Sequence, residues 1–405
     1  MNRPIRTLLF STLYPSSVRP GHGIFVETRL RELLKTGGVD ARVVAPVPWF
    51  PSTHPRFGEY ARVARTPAAE VWNGIQVQHP RYPLIPKLGM STAPFALAAA
   101  SLGPLRRLIR EGFDFDVIDA HYYYPDGVAA ALLAKWLGKP LAITARGTDL
   151  NLIPQHPVPR RLIRWAAMQA QASIGVCGAL MDVLRDMGTP SERLHVMRNG
   201  VDLERFQPQP REASRQRLAL SGGPILLSVG YLIERKGHHL LLQALPEILK
   251  HHPQARLVVV GDGEMRGALQ KLAGDLRVDL HVTFAGAIAQ AELKHWYSAA
   301  DLFVLASSRE GWANVLLESM ACGTPVLATA IWGTPEVVAS PDAGALVQER
   351  SAPALAQGVL GLLQRLPARE AVRRYAEQFG WAATSEAQLN LFSRFVRTCG
   401  QGRAR

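Results

Sequence analysis

The chain has 405 residues, 47% of them apolar and 20% charged, with a net charge of +13. This length favours two domains of about 200 residues over one large core, and no apolar run reaches the roughly 20 residues a membrane-spanning helix needs. The first residues read as a strand and not as a signal peptide, and Cys177, Cys322 and Cys399 are too widely spaced for a disulfide framework or a cysteine metal site.

In chain order, Ile5 to Ser11 is an apolar strand, followed by a polar loop that ends in Gly21-His22-Gly23. Ile24 to Leu34 has helical spacing, Gly37-Gly38 stops it, and Ala41 to Ala45 is the next strand. The glycines lack the spacing of a dinucleotide fingerprint, so no NAD site is expected. Leu97 to Ile109 reads as a helix with Arg106, Arg107 and Arg110 at its end. Phe115 to Ala120 is a strand with His121 directly after it, ahead of a helix from Val128 to Leu137. Asp114 and Asp116 form an Asp-x-Asp pair, but they precede the strand and read as solvated loop acids. Leu141 to Ala145 is a strand that runs into Arg146-Gly147-Thr148-Asp149, and Arg160, Arg161 and Arg164 mark a second basic helix.

Residues 1–200 hold 24 Lys+Arg against 14 Asp+Glu, so most of the positive excess lies in the first half. Nucleic acid, an anionic membrane face, a phosphorylated acceptor or a scattered basic surface would each account for it.

Residues 206–223 read as a linker with a lead-in helix. A strand at Pro224 to Val229 opens a second domain. Arg235 and Lys236, just before the helix His238 to Lys250, form either a diphosphate clamp or a solvated basic loop. Val282 to Gly286 is a strand with a terminal glycine. Leu302 to Leu305 is a strand leading to Glu310, Gly311, Trp312 and Ala313. Asn314 reads as an N-cap, and Val315 to Ala321 as a short helix carrying Glu318 in or near its first turn. A helix start at the carboxyl end of a strand favours a phosphate, and an acid on each side could accept hydroxyls. That describes a nucleotide sugar; the alternative is one ordinary helix acid and one loop charge. Residues 351–366 and 370–398 read as helices.

Glu310-x7-Glu318 followed by Met320-Ala321-Cys322-Gly323-Thr324-Pro325-Val326 resembles the retaining glycosyltransferases of family GT4. The likeness extends along nearly the whole chain, through Arg198-Asn199-Gly200-Val201-Asp202 and Gly261-Asp262-Gly263. It departs at three places: Ala313 and Val315 replace a Gly and a Pro, Arg146 stands where a His is common, and Tyr231 where an Arg is common.

The resemblance implies the GT-B fold: two doubly wound α/β domains facing a cleft, over residues 1–205 and 224–378, with residues 379–405 as a helix crossing back to the first. It implies transfer of a hexose from a nucleotide diphosphate sugar to a hydroxyl of a lipid-linked or polysaccharide-type acceptor, with retention and without a metal or other cofactor. Glu310 would hold the sugar hydroxyls, with His121 also at the transferred sugar. The donor would be bound by Arg235, Lys236, Gly311, Trp312, Ala313, Asn314, Val315 and Glu318, with Gly23 facing it and Gly286 near the nucleobase. Thr148 and Asp149 would line the acceptor side. The expected setting is cytoplasmic, with reversible binding to an anionic membrane face and no nucleic-acid partner. A nucleotide-sugar epimerase and a non-catalytic sugar-nucleotide-binding subunit are the alternatives on the same fold.

Overall fold

The computed structural model describes residues 3–84 and 89–403, with side chains described as far as Thr398; Cys399 therefore lies outside the described side chains. The chain divides into two compact units, residues 1–198 with 382–405, and residues 199–381.

The strands of the first unit are β1 (Ile5–Phe10), β2 (Val39–Val44), β3 (Val47–Pro48), β4 (Ala69–Trp72), β5 (Ile75–Gln78), β6 (Arg81–Tyr82), β7 (Val117–His121), β8 (Leu141–Ala145), β9 (Ala172–Gly175) and β10 (Leu194–Val196). Eight of them form one sheet in the order β10-β9-β8-β7-β1-β2-β5-β4. All neighbours are parallel except β4, an antiparallel edge strand. β3 and β6 form a separate two-stranded ribbon. Central strands such as β7 and β8 are buried at every residue, as expected for a parallel sheet covered on both faces.

The second unit holds β11 (Ile225–Val229), β12 (Arg256–Val260), β13 (Val282–Gly286), β14 (Leu302–Leu305), β15 (Val326–Thr329) and β16 (Gly344–Val347). They form a parallel sheet in the order β13-β12-β11-β14-β15-β16.

In each sheet the strand order reverses at one place: between β1 and β7 in the first unit, and between β11 and β14 in the second. Loops leaving the carboxyl ends of such strand pairs diverge, and open α/β sheets bind ligands there.

Several boundaries differ from those read in the sequence. The first unit ends at Arg198, not at 205. The lead-in helix expected within the linker segment is present as Arg211–Arg217, and its Arg211 and Arg215 both reach Asp301, so the segment is built into the second unit. Asp301 also accepts from the Ile225 amide at 2.7 Å. The predicted helix at Leu97 begins at Gly89 and contains Pro94 and Pro104. The final helical stretch is two helices, Arg369–Glu377 and Trp381–Arg403. The second of these packs Leu391, Phe392 and Phe395 into the core of the first unit, beside Leu9, Val26 and Leu30.

Candidate functional site

In the second unit, the turn Glu234–Lys236 follows β11 and closes on Gly237, which has φ +75°. A Cβ at Gly237 would lie 2.1 Å from the Ala306 carbonyl oxygen, so only glycine lets this turn seat against the end of β14. The loop after β14 brings Glu310 to the same place. Lys236 Nζ donates to Glu310 Oε1 at 2.7 Å, and Ser307 Oγ donates to the same oxygen at 2.7 Å. Arg235 Nη1 lies 3.7 Å from that oxygen and donates to the Arg309 carbonyl at 2.6 Å. Burial alone would push the Glu310 carboxyl up. The Lys236 charge and hydrogen bond, with Ser307 and Arg235, more than offset this and hold it below the ordinary range.

Arg350, which played no part in the sequence reading, braces both loops. It donates to the Ala306 carbonyl at 2.9 Å and to the Glu234 carbonyl at 3.1 Å.

The helix spans Asn314–Ala321. Asn314 is its first residue and not its cap: Ala313 holds the cap position, without a side-chain capping bond. Asn314 Oδ1 instead accepts from Asn199 Nδ2 at 3.3 Å. Glu318 is one turn further on and buried, accepting from Tyr297 Oη at 2.9 Å and Gln290 Nε2 at 3.3 Å. Burial raises its pKa. It therefore enters the site already oriented, which the sequence did not reveal because both partners lie more than 20 residues upstream. The Trp312 ring is buried and packs at 6.1 Å from Phe379; Gly311 and Ala313 are buried as well, and Val315 is half-buried. Gly286 ends β13 with φ +77°. Tyr231 is exposed.

In the first unit, His121 is the last residue of β7 and not the first residue of the loop. It is 1% exposed. Arg146 donates to Nδ1, which makes Nε2 the protonated nitrogen, and Nε2 donates to Asp119 Oδ2 at 3.2 Å. Burial lowers the His121 pKa to about 4; Asp119 opposes this and Arg146 adds to it. Both ring nitrogens are engaged by the protein, Nδ1 by Arg146 and Nε2 by Asp119. Asp119 and His121 stand two apart on one strand face, a pattern present in the sequence.

Thr148 opens a short helix and is half-buried. Asp149 is fully buried and accepts from the backbone amides of Tyr123 (2.7 Å), Arg146 (3.0 Å) and Gly147 (2.7 Å). Its carboxylate shapes the loop after β8. Asp126, also fully buried, accepts from the Thr12 amide at 2.6 Å and from the Thr12 and Ser11 hydroxyls, tying the loop after β1 to the turn after β7. Burial raises its pKa to about 7, against those hydrogen bonds. The loop after β1 ends on Gly23, φ +68°, where a Cβ would lie 2.3 Å from the Leu13 carbonyl oxygen.

The Asp-x-Asp acids sit at the amino end of β7. Asp116 pairs with Arg3 at 2.7 Å and caps the Arg6 amide, while Asp114 pairs with Lys139. They are ion-paired, not simply solvated. Among the described residues no cluster of three or more His, Cys, Asp or Glu could hold a metal ion.

The model of the glycosyl transferases group 1 family matches residues 210–379, and that of Glycosyltransferase Family 4 matches residues 21–205. A D-inositol 3-phosphate glycosyltransferase of Frankia alni is 34% identical over 354 residues, covering 80% of this chain and 86% of that protein. The chain belongs to the family 4 glycosyltransferases. A putative teichuronic acid biosynthesis glycosyltransferase, TuaC of Bacillus subtilis, is 29% identical over 88% of both chains. The family 4 chain also resembles solved structures. Sucrose-phosphate synthase of Thermosynechococcus elongatus matches with a TM-score of 0.80 and 21% identity, over 98% of this chain and all of that one. Anabaena HepE in complex with UDP matches at 0.71 and 20%, over 96% of this chain and all of that one. These likenesses bear out the expected GT-B fold of two Rossmann-like domains.

Proposed function

We propose that this family 4 glycosyltransferase moves a hexose from a nucleotide diphosphate sugar to a hydroxyl of a lipid-linked or polysaccharide-type acceptor, with retention of configuration and without a metal. The observation that carries the reading is the Lys236–Glu310 pair at the β11/β14 reversal. Departure of the diphosphate leaves negative charge on its oxygens, and Lys236 and Arg235 are fixed cations that would meet that charge as it develops. Glu310, ionised and held by Lys236 and Ser307, has acceptor capacity left for the sugar hydroxyls. Glu318, set by Tyr297 and Gln290, would take the ribose. The first unit takes the acceptor, with Thr148 and Asp149 lining its side.

The relatives support this choice of acceptor. One is named for teichuronic acid biosynthesis, and another, 36% identical over 43% of this chain, is a GDP-mannose-dependent phosphatidylinositol monomannoside mannosyltransferase of Mycolicibacterium smegmatis. Among the described residues no helix is long and apolar enough to cross a membrane. Arg106, Arg107, Arg110, Arg160, Arg161 and Arg164 are all exposed, which supports reversible contact with an anionic membrane face.

The test is a thermal-shift screen of nucleotide sugars in EDTA, since a bound donor raises apparent stability by mass action. NMR of the product formed from the preferred donor would then follow. One nucleotide sugar should stabilise the protein, and the new linkage should keep the donor's anomeric configuration. An inverted product, or activity that needs added manganese, would contradict the proposal.

A further inference from the structure

The site chemistry in the first unit continues into a buried hydrogen-bond relay that reaches the carboxyl-terminal helix. Asp119 Oδ2 accepts from His121 Nε2 at 3.2 Å and from Gln388 Nε2 at 2.9 Å. Gln388 Oε1 accepts from Arg29 Nε at 2.8 Å, and Arg29 Nη1 donates to the Met197 carbonyl at 3.0 Å. Asp119, His121, Gln388 and Arg29 are each at most 2% exposed. Four elements meet in this relay: the first helix, β7, the loop after β8 through Arg146, and the last helix.

The direction of each bond is forced. Arg29 can only donate, so Gln388 must present its carbonyl oxygen to Arg29 and its NH₂ to Asp119. Arg146 can only donate to His121 Nδ1, so the His121 proton sits on Nε2 and is given to Asp119. Fixed-charge donors, Arg29 and Arg146, thus stand at both ends of the chain, and the last helix supplies its middle link.

We propose that Gln388 is a positioning residue for His121, acting through Asp119, so that the carboxyl-terminal helix sets the state of a residue at the β1/β7 reversal as well as completing the core. This inference rests on the proposed function, with the first unit on the acceptor side and His121 at the transferred sugar as the family resemblance implies. Gln388 supplies one of the two donors to Asp119 Oδ2. Without it that oxygen relies on His121 alone, which favours an imidazolium. A proton on Nδ1 would abolish the acceptor that Arg146 uses and set two cations against each other. The charged or titratable groups around His121 are Asp119 on its own strand, Arg146 after β8, Arg29 on the first helix, and Asp126, whose partner Ser11 donates to the His121 carbonyl at 2.9 Å.

The experiment uses the full-length chain and two variants. Gln388→Leu removes both bonds. Gln388→Glu keeps the acceptor for Arg29 but turns a carboxylate toward Asp119, and it serves if the leucine variant does not fold. Ring-nitrogen NMR follows the titration of His121, assigned by its loss in His121→Asn, and turnover is measured across pH. Wild-type His121 should stay neutral down to about pH 4. In the variants its titration should move up by about one pH unit or more, a tenfold change in proton affinity, and the acid limb of kcat should follow with donor KM little changed. Both variants leaving the titration and the acid limb in place, even with a lower Tm, would overturn the proposal and make Gln388 a packing residue. Unchanged turnover in His121→Asn would sink the role of His121 in transfer, while the titration would still decide the relay.

Discussion

Lys236 and Glu310, 74 residues apart in the chain, are joined nitrogen to oxygen at 2.7 Å where the strand order of the second sheet reverses. Each has its own support. The lysine rides on a turn that only glycine at 237 allows, and the glutamate is held by Ser307. A largely desolvated carboxylate of this kind is held ionised by the cation beside it. On the proposed function, an incoming diphosphate would meet a lysine whose charge is already partly matched by Glu310.

The first prediction separates Lys236 from Tyr231, which stands where the family commonly has an arginine. Lys236→Ala should weaken binding of the donor's nucleoside diphosphate by about tenfold or more, the loss of a charge-assisted contact plus the stranding of Glu310. Tyr231→Ala should change it less than about twofold, because that side chain is exposed and has no charge. Calorimetry with the preferred nucleoside diphosphate measures both, and the reverse order would move the clamp to the tyrosine.

Glu318→Ala should act on binding more than on turnover. Its carboxylate is held by Tyr297 and Gln290 and shares no hydrogen-bond partner with the Lys236–Glu310 pair. Donor affinity should fall about tenfold with kcat within a few fold, and Tyr297→Phe should reproduce part of the loss. A fall in kcat equal to that of a Glu310 variant would contradict this division of roles.

Much of the second unit's site could be read from sequence, because one strand, one loop and one helix carry Glu310, Asn314 and Glu318 within nine residues. What spacing could not give were partners from far along the chain: Arg350 for the two loops, Tyr297 for Glu318 and Gln388 for Asp119. Asn314 misled because its side chain pairs with Asn199 instead of capping its own helix. β7 runs one residue further than its apolar pattern suggests, so the His121 ring belongs to a central, fully buried strand. The backbone amides that take up the Asp149 carboxylate were likewise not readable from spacing.

Acid stability should carry the mark of His121. Its folded pKa of about 4 lies below the ordinary 6.5, so the unfolded chain binds the proton first. This contribution is fully present above pH 6.5 and is lost as the pH falls toward 4. Between pH 7 and pH 5 the wild type should therefore lose about 2 kcal/mol relative to His121→Asn. Asp126, raised to about 7, works in the opposite sense, but it is common to both proteins and cancels in the difference. Denaturant unfolding of the two proteins at both pH values measures this, and parallel losses would contradict the neutral, buried imidazole.

The exposed arginines of the first unit make a separate claim. Each cation near an anionic bilayer contributes about 1 kcal/mol, and the attraction fades over about a Debye length. Flotation with anionic liposomes should recover the protein at low salt, release it at high salt, and fail when Arg160, Arg161 and Arg164 are changed to Ser. Flotation indifferent to lipid charge would remove the membrane from the account.

The central claim is that Glu310 acts on the sugar while it departs from the diphosphate. The direct measurement is release of nucleoside diphosphate from the preferred donor in the presence of an acceptor, comparing wild type with Glu310→Gln of equal Tm. The account predicts a fall in kcat of about a hundredfold or more, with nucleoside diphosphate affinity within a few fold. Turnover retained within a few fold in Glu310→Gln would contradict it.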